Sequence, residues 1–335
     1  MIEAQGSRLA RPSCSICGSD RAASKSWRIP DRYYDLPGLF EVRRCADCRS
    51  TWVADPPEDV SPWYPTEYYS YRSDTPLCQR ASLKAKLRSA VMAARARESE
   101  RSDVLRRICP VLFDPDAYLA HARAGQGASI LDVGCGAGSA LDRYKAAGWR
   151  TFGVEIDGRA VAIARAKGHD VVEGDASSWQ SQDGAYDIVR ATHSIEHVLK
   201  PTVLLARLAT SVAPEGSLYI DIPNLGSLPA RLAGRAFWQL DPPRHLAIPH
   251  PKALQQSLDE LGLTTEASWT YSFGGSLAHS LWYATTWRGG RVGWRLSDPR
   301  PAALRVTSAV LVPVAALLDL LGLGDSIRVV ARRQP

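Results

Sequence analysis

A chain of 335 residues with 45% hydrophobic content suffices for one large domain and a smaller one, and it excludes disorder on a large scale. The formal charge is +6, but nine Lys or Arg against three acids between Arg80 and Arg107 account for all of it, so the remainder is neutral in sum and argues against a general nucleic-acid surface. Seven cysteines in this length argue against a disulfide framework, and the N-terminus has no apolar signal core, so the expected setting is the reducing cytoplasm.

The first chemical signal is a pair of C-x-x-C knuckles, Cys14-Ser-Ile-Cys17 followed by Gly18, and Cys45-Ala-Asp-Cys48. Each directs two thiolates at one ion, and Cys14, Cys17, Cys45 and Cys48 together complete a tetrahedral four-cysteine site. Zinc is the expected metal, with iron in a rubredoxin-like site as the alternative on ligand chemistry. Four thiolates leave no vacant coordination position, so the site is structural rather than catalytic. Between the knuckles, Tyr33-Tyr-Asp-Leu-Pro-Gly38 reads as a hairpin with a Pro-Gly turn. Cys78, Cys109 and Cys135 fall outside the pattern and read as ordinary thiols.

Asp55-Pro-Pro57 and the aromatic run Ser61 to Tyr71 cannot form a long helix, because four prolines interrupt them. They read as a linker packed by its rings, or, more sharply, as tyrosines walling a substrate pocket. Leu83, Leu87 and Val91 then mark one face of a helical stretch from Leu77 to Ile108. Its cations read as a solvated face; the other reading is an acidic partner such as a phosphorylated substrate, a membrane surface or RNA. This divides the chain into an N-terminal module and aromatic linker (1–75), a basic helical connector (76–125) and a main domain (126–335) with insertions at about 225–250 and 273–323.

Ser129-Ile-Leu-Asp-Val-Gly-Cys-Gly-Ala-Gly-Ser139 organises that domain. A β-branched, apolar lead-in runs to Asp132 and then to Gly134, Gly136 and Gly138, the pattern of a strand, a tight turn and a helix start. A dinucleotide fold wants G-x-G-x-x-G and a pyrophosphate at the helix N-terminus. Here the third glycine is one position early and Asp132 opposes a pyrophosphate, which suits a ligand with an ammonium and no phosphate, such as S-adenosylmethionine. A second strand, Thr151 to Ile156, presents Glu155 about 20 residues on, where ribose hydroxyls are bound, and Asp157 reads as a helix N-cap. Asp170 to Glu173 is a third strand, leading to Asp175 and Ala176. Ala185 to Arg190 is a fourth, leading to His193-Ser-Ile-Glu196-His197, and Gly216 to Asn224 is a fifth.

Beyond it lie Asp241-Pro-Pro-Arg244-His245, a helix near Lys252 to Leu261, and strands near Leu263 to Tyr271 and Ser326 to Arg332 that complete the sheet as an antiparallel pair. The D-P-P segment is not the base-stacking motif of nucleic-acid amino-methylating enzymes, since Arg244 stands in place of the aromatic. Val306 to Leu323, broken by Pro313 and Asp319, reads as too short and interrupted to span a bilayer. It is expected to be a buried or pocket-covering helix, with shallow membrane contact as the other reading.

In order and spacing, Ser129 to Asn224 resembles the class I S-adenosylmethionine-dependent methyltransferases, which implies an α/β, Rossmann-like, seven-stranded sheet with helices on both faces beside a zinc-ribbon-like module. The resemblance assigns Asp132, Gly134, Gly136, Gly138, Glu155, Asp175, Ala176 and His193 to the cofactor. With the knuckles, the H-x-x-E-H run and the D-P-P-x-H segment, the chain from Cys14 to about His245 resembles bacterial methyltransferases that modify sugars. That implies a small-molecule or glycan acceptor, with His197 as base, Glu196 orienting it or sharing the role, and His245 as a second candidate. Sugar C-methyltransferases of this kind carry a further large C-terminal domain, so O- and C-methylation both stay open. The alternative is an RNA methyltransferase gripping nucleic acid through the zinc module.

Overall fold

β1 (Lys25–Pro30) and β2 (Leu39–Arg44) form the expected antiparallel hairpin, and β3 (Thr51–Val53) pairs antiparallel with the other edge of β2. The computed structural model describes residues 13–21, 23–65, 119, 127–176, 179–180, 183–272, 275–286 and 301–334. The helix read over Leu77 to Ile108, with Cys78 and Cys109, lies outside the described residues, as does the segment 287–300.

The main sheet contains β4 (Ser129–Val133), β5 (Arg150–Glu155), β6 (Asp170–Glu173), β7 (Tyr186–Thr192) and β8 (Val212–Pro223). After β9 (Ala247–Ile248) in the first insertion, β10 (Leu263–Tyr271) and β11 (Ser326–Arg333) complete it. The order is β10-β11-β8-β7-β4-β5-β6, parallel except for β11, which runs antiparallel to both its neighbours. This is the Rossmann-like methyltransferase sheet implied by the sequence, with strand ends displaced by a few residues. β4 is buried at every position, as a central parallel strand covered on both faces must be. Alternate residues feed two apolar clusters: Leu131, Val133, Val189 and Ile220 in one, Ile130, Ile188 and Tyr219 in the other.

The helices follow the same local rules. α1 (Ser139–Ala146) starts at Gly138, and α2 (Gly158–Ala166) is capped by Asp157, whose carboxylate accepts the Arg159 and Ala160 N–H groups. α3 (Pro201–Ser211) begins on a proline, α4 (Leu228–Ala233) lies in the insertion, and α5 (Pro251–Glu260) is capped by His250. Because β4 has β5 on one side and β7 on the other, the winding reverses at β4. The crevice at the carboxyl ends of β4 and β7 is where open α/β sheets hold ligands.

The first insertion joins the N-terminal hairpin to this sheet. β9 pairs antiparallel with β3, placing Ile248 opposite Thr51 and Ala247 opposite Trp52, so it becomes the fourth strand of the small sheet. Ile29, Phe40 and Val53 share one apolar cluster with Phe237, Leu240 and Ile248. Two buried arginines add polar ties. Arg32 donates to the carbonyls of Arg235, Phe237 and Leu240. Arg244 is held at both ends: Asp241 takes Nε at 2.7 Å and Nη2 at 2.6 Å, while Asp31 takes Nη1 and Nη2 from the other side. The Tyr33 and Tyr34 rings lie 5.4 and 5.1 Å from its guanidinium carbon.

α6 (Ser276–Thr286) and α7 (Ala302–Leu320) follow β10. The reading of this stretch as short and interrupted is corrected: Pro313 lies inside a continuous helix of 19 residues, long and apolar enough to cross a membrane by length and composition. The expectation of burial is corrected on one face as well, since only 22% of the apolar window is buried.

Removing one partner of a buried ion pair strands the other charges without a counter-ion, at a cost of about 3–5 kcal/mol. Arg244→Ala is therefore expected to lower the unfolding free energy by about that much in urea titration. A loss below about 1 kcal/mol would mean that Asp31 and Asp241 need no shared cation.

Candidate active site

The turn after β4 needs its glycines. Gly134, Gly136 and Gly138 all have positive φ, at 80°, 53° and 78°. A Cβ on Gly134 would meet the Ser194 Oγ, which is fixed by donating to the Val133 carbonyl at 2.6 Å. A Cβ on Gly138 would lie 2.8 Å from the His169 ring, itself pinned between Thr151 and Asp142. Glu155, at the end of β5, reaches back over this turn. Its Oε2 accepts the Gly136 N–H at 2.8 Å and its Oε1 accepts those of Ile156 and Asp157 at 2.9 and 3.0 Å. Asp175 is exposed just beyond β6, and Ala176 packs half-buried on the main core. The turn, Glu155, Asp175 and Ala176 thus follow the carboxyl ends of three neighbouring strands, β4, β5 and β6, along one edge of the sheet.

Asp132 is the departure. The sequence sets its carboxylate against a ligand ammonium, but the side chain is fully buried and both oxygens accept from Arg190 Nη1, at 2.9 and 3.0 Å. Asp132 and Arg190 are register partners on β4 and β7, so they share a face of the sheet and pair beneath the turn. The acid that sequence reasoning gave to the ligand holds two central strands together.

The loop after β7 gathers the histidines. His193, at φ 50°, presents Nδ1 to Glu196 Oε1 at 3.0 Å and Nε2 to the Tyr271 hydroxyl at 3.4 Å. Tyr271 donates to Asp221, which also takes Arg328 Nε at 2.9 Å. Burial disfavours the His193 cation, yet Glu196 and Asp221 outweigh it and raise the imidazole above its ordinary value. Glu196 is fully buried, which opposes ionisation, but His193 and the other two histidines hold its carboxyl down to about 2. Its Oε2 has no hydrogen-bond partner among the described residues. The residue does not cap a helix, because Ile195 to His197 form a single 3₁₀ turn and the carboxylate turns inward to His193.

His197 and His245 come together with rings 4.8 Å apart at 81°. His197 Nδ1 lies 3.0 Å from the Arg244 carbonyl, and His245 Nδ1 lies 2.7 Å from the Gln239 carbonyl. A carbonyl only accepts, so each Nδ1 carries a hydrogen, and in the neutral ring the lone pair sits on Nε2. Burial first, then the neighbouring His245, push His197 down to about 4, leaving a neutral ring at neutral pH. The Tyr64 hydroxyl, from the proline-interrupted aromatic run, also lies 3.0 Å from His197 Nδ1. Sequence reasoning missed Tyr64, Tyr271, Asp221 and Arg328 as individual residues. A lone acid inside the apolar run Leu218 to Ile222 is the one local signal that marks Asp221; pairing it with Arg328 needs the fold.

At the N-terminus the four cysteine sulfurs converge, all within 4.8 Å of one another, with Cys14 to Cys48 and Cys17 to Cys45 at 3.7 Å. The two knuckles repeat one conformation: Cys14 N–H bonds the Ser19 carbonyl and Cys45 N–H bonds that of Ser50, each at 2.9 Å. Gly18 and Arg49 take positive φ at matching positions. Cys135, by contrast, is a buried thiol whose pKa burial raises.

A sheet wound in this order, with a glycine turn after its first parallel strand and an acid closing over that turn, defines the class I S-adenosylmethionine-dependent methyltransferase fold. The chain belongs to the methyltransferase-domain family, whose model matches residues 97–268. The ubiquinone biosynthesis O-methyltransferase of Sodalis glossinidius is 28% identical over 130 residues, 36% of this chain and 50% of that protein. The protein of the same name from Aromatoleum aromaticum is 30% identical over 119 residues, 33% of this chain and 48% of that one. The chain thus spans about half the length of the curated relatives it matches. An S-adenosylmethionine-dependent methyltransferase from Archaeoglobus fulgidus superposes with a TM-score of 0.43 at 22% identity, covering 62% of this chain and 86% of that one.

Glu155→Ala removes an acceptor aimed over the glycine turn, and hydrogen bonds to charged groups contribute about 1.5–3 kcal/mol. Calorimetry should show S-adenosylmethionine binding weakened by about that amount. Unchanged affinity would take Glu155 out of the cofactor site.

Proposed function

We propose that the protein methylates a hydroxyl of a small-molecule or glycan acceptor, a sugar or sugar-bearing metabolite, at the edge where His197 and His245 meet. The observation that carries this reading is the pair of imidazoles whose Nδ1 atoms are committed to main-chain carbonyls, so that in the neutral rings the lone pair sits on Nε2, with one nitrogen of each ring within 4.8 Å of a Glu196 carboxylate oxygen. The names of the curated relatives support O-methylation of a small molecule, and the knuckles with the H-x-x-E-H run support a sugar. The confinement of excess positive charge to Arg80–Arg107 supports an acceptor other than RNA. Cysteines spent on a C-x-x-C metal site rather than on a disulfide framework support a cytoplasmic setting.

Bound S-adenosylmethionine supplies a methyl already activated on a sulfonium. The chain's own task is to hold the acceptor oxygen in line with it and to remove one proton. An oxygen becomes strongly acidic as it gains a methyl, so a neutral imidazole is a sufficient acceptor late in the transfer. His197 takes the proton at Nε2; the Arg244 carbonyl fixes its tautomer and Tyr64 fixes its ring. Glu196 holds His193 and leaves a buried charge near the imidazolium that forms. His245 is the second acceptor within reach.

A positioned base contributes about 10²–10⁴-fold. Single-turnover methylation by His197→Ala should fall by that factor with S-adenosylmethionine affinity unchanged. If the variant keeps more than about a third of the rate, the role passes to His245, tested by His245→Ala.

The cysteine cluster is proposed to hold one structural zinc. A tetrahedron with metal–sulfur bonds of about 2.3 Å has edges of about 3.75 Å, close to the 3.7 Å sulfur separations. Elemental analysis should find one zinc per chain, and stripping it with a chelator should lower Tm, because the metal links folding to the small sheet that β9 completes. Metal-free protein with the same Tm would remove the structural role.

A further inference from the structure

α7 leaves more apolar surface in water than a surface helix ordinarily does. Such a helix buries its apolar stripe and exposes its polar one, yet α7 buries Ser308 and Asp319 beside Leu304, Ala315 and Leu318, and leaves Val306, Val310, Val312, Val314, Leu317 and Leu320 between 46% and 68% exposed. The inward polar groups are satisfied: Ser308 donates to the Leu304 carbonyl at 2.7 Å and Asp319 accepts from Ser272 at 2.7 Å. Leu304 packs with Ala278 of α6, so the inner face has a partner and the outer face has none among the described residues. A contiguous apolar face of this kind marks an interaction surface.

Charge selects the occupant. α7 holds one cation, the exposed Arg305, and its one acid is the buried Asp319, so the outer face carries no negative charge. The sequence leading into it, Trp287 to Arg300, contains four arginines and two tryptophans against a single acid, Asp298. In sequence, tryptophans and arginines running directly into an apolar helix are the composition that suits the headgroup zone of an anionic bilayer. We propose that the protein docks on anionic lipid surfaces through the outer face of α7, which lies flat in the interface while its inner face stays packed on α6.

The hairpin that carries this face is tied to the active-site edge. α6 follows β10, whose last residue, Tyr271, reaches His193 at 3.4 Å, and α7 is bonded back to Ser272 through Asp319. A docked bilayer therefore contacts an element continuous with the catalytic loop. This inference is independent of the acceptor proposed above.

Flotation of the full chain with vesicles of phosphatidylcholine and 30% phosphatidylglycerol tests it, against pure phosphatidylcholine and against the variant Val310→Asp/Leu317→Asp. Both positions are exposed, so Tm and S-adenosylmethionine affinity should stay those of the parent. The parent should float with the anionic vesicles, less so in high salt or with neutral lipid, and the variant should lose at least about tenfold of that partition. A parent that stays at the bottom of the gradient with both lipids overturns the proposal. Equal partition of parent and variant overturns it too, and so does light scattering that finds a parent dimer which the variant dissolves without any vesicle binding.

Discussion

The guanidinium of Arg244, buried between Asp31 and Asp241, is the contact on which the rest of the site depends. Asp31 lies in the loop of the N-terminal hairpin, where it also accepts the Tyr33, Tyr34 and Leu36 N–H groups, and Asp241 lies in the insertion after β8. One cation therefore joins two pieces of chain more than 200 residues apart. The same residue acts on the catalytic loop twice: its carbonyl takes His197 Nδ1–H, and Nη1 holds the Trp63 carbonyl at 2.9 Å, next to Tyr64. A buried charge of this kind is costly unless every donor is used. Here the donors reach two carboxylates and a carbonyl, and the two tyrosine rings cover the remaining faces.

The site is built by controlling what each polar atom is free to do. Main-chain carbonyls hold the Nδ1 atoms of His197 and His245, and this decides the tautomer without adding charge. His193 has a carboxylate near each ring nitrogen, Glu196 at 3.0 Å and Asp221 at 3.9 Å, and is stabilised as a cation, whereas His197, four residues on, is kept neutral by burial and by its neighbour His245. Two histidines in one loop thus have opposite protonation preferences. Glu196 pairs with His193 through one oxygen, and among the described residues its second, buried oxygen has no hydrogen-bond partner.

Burial also separates structural from functional acids. Asp132 and Asp221 both lie at the inner end of the site, and both are occupied by arginines from neighbouring strands, Arg190 and Arg328. Among the described residues, Glu155 is held by backbone N–H groups at the ligand edge, with no cation paired to it. It is the acid left to meet neutral ribose hydroxyls.

The sequence by itself determined whatever depends on local chemistry. The sheet strands could be read from apolar runs, the turn from three glycines that must adopt positive φ, the α2 cap from Asp157, and the four-thiolate cluster from two C-x-x-C spacings. These are short-range constraints, written in neighbouring residues. Tertiary structure decided the partners. Nothing near Asp132 announces Arg190, because register between β4 and β7 makes that pair; nothing in Tyr64 announces His197, because Arg244 and the small sheet bring them together. The polarity of α7 was equally hidden. A run of Val and Leu reads as core until packing assigns Ser308 and Asp319, rather than the valines, to the inside.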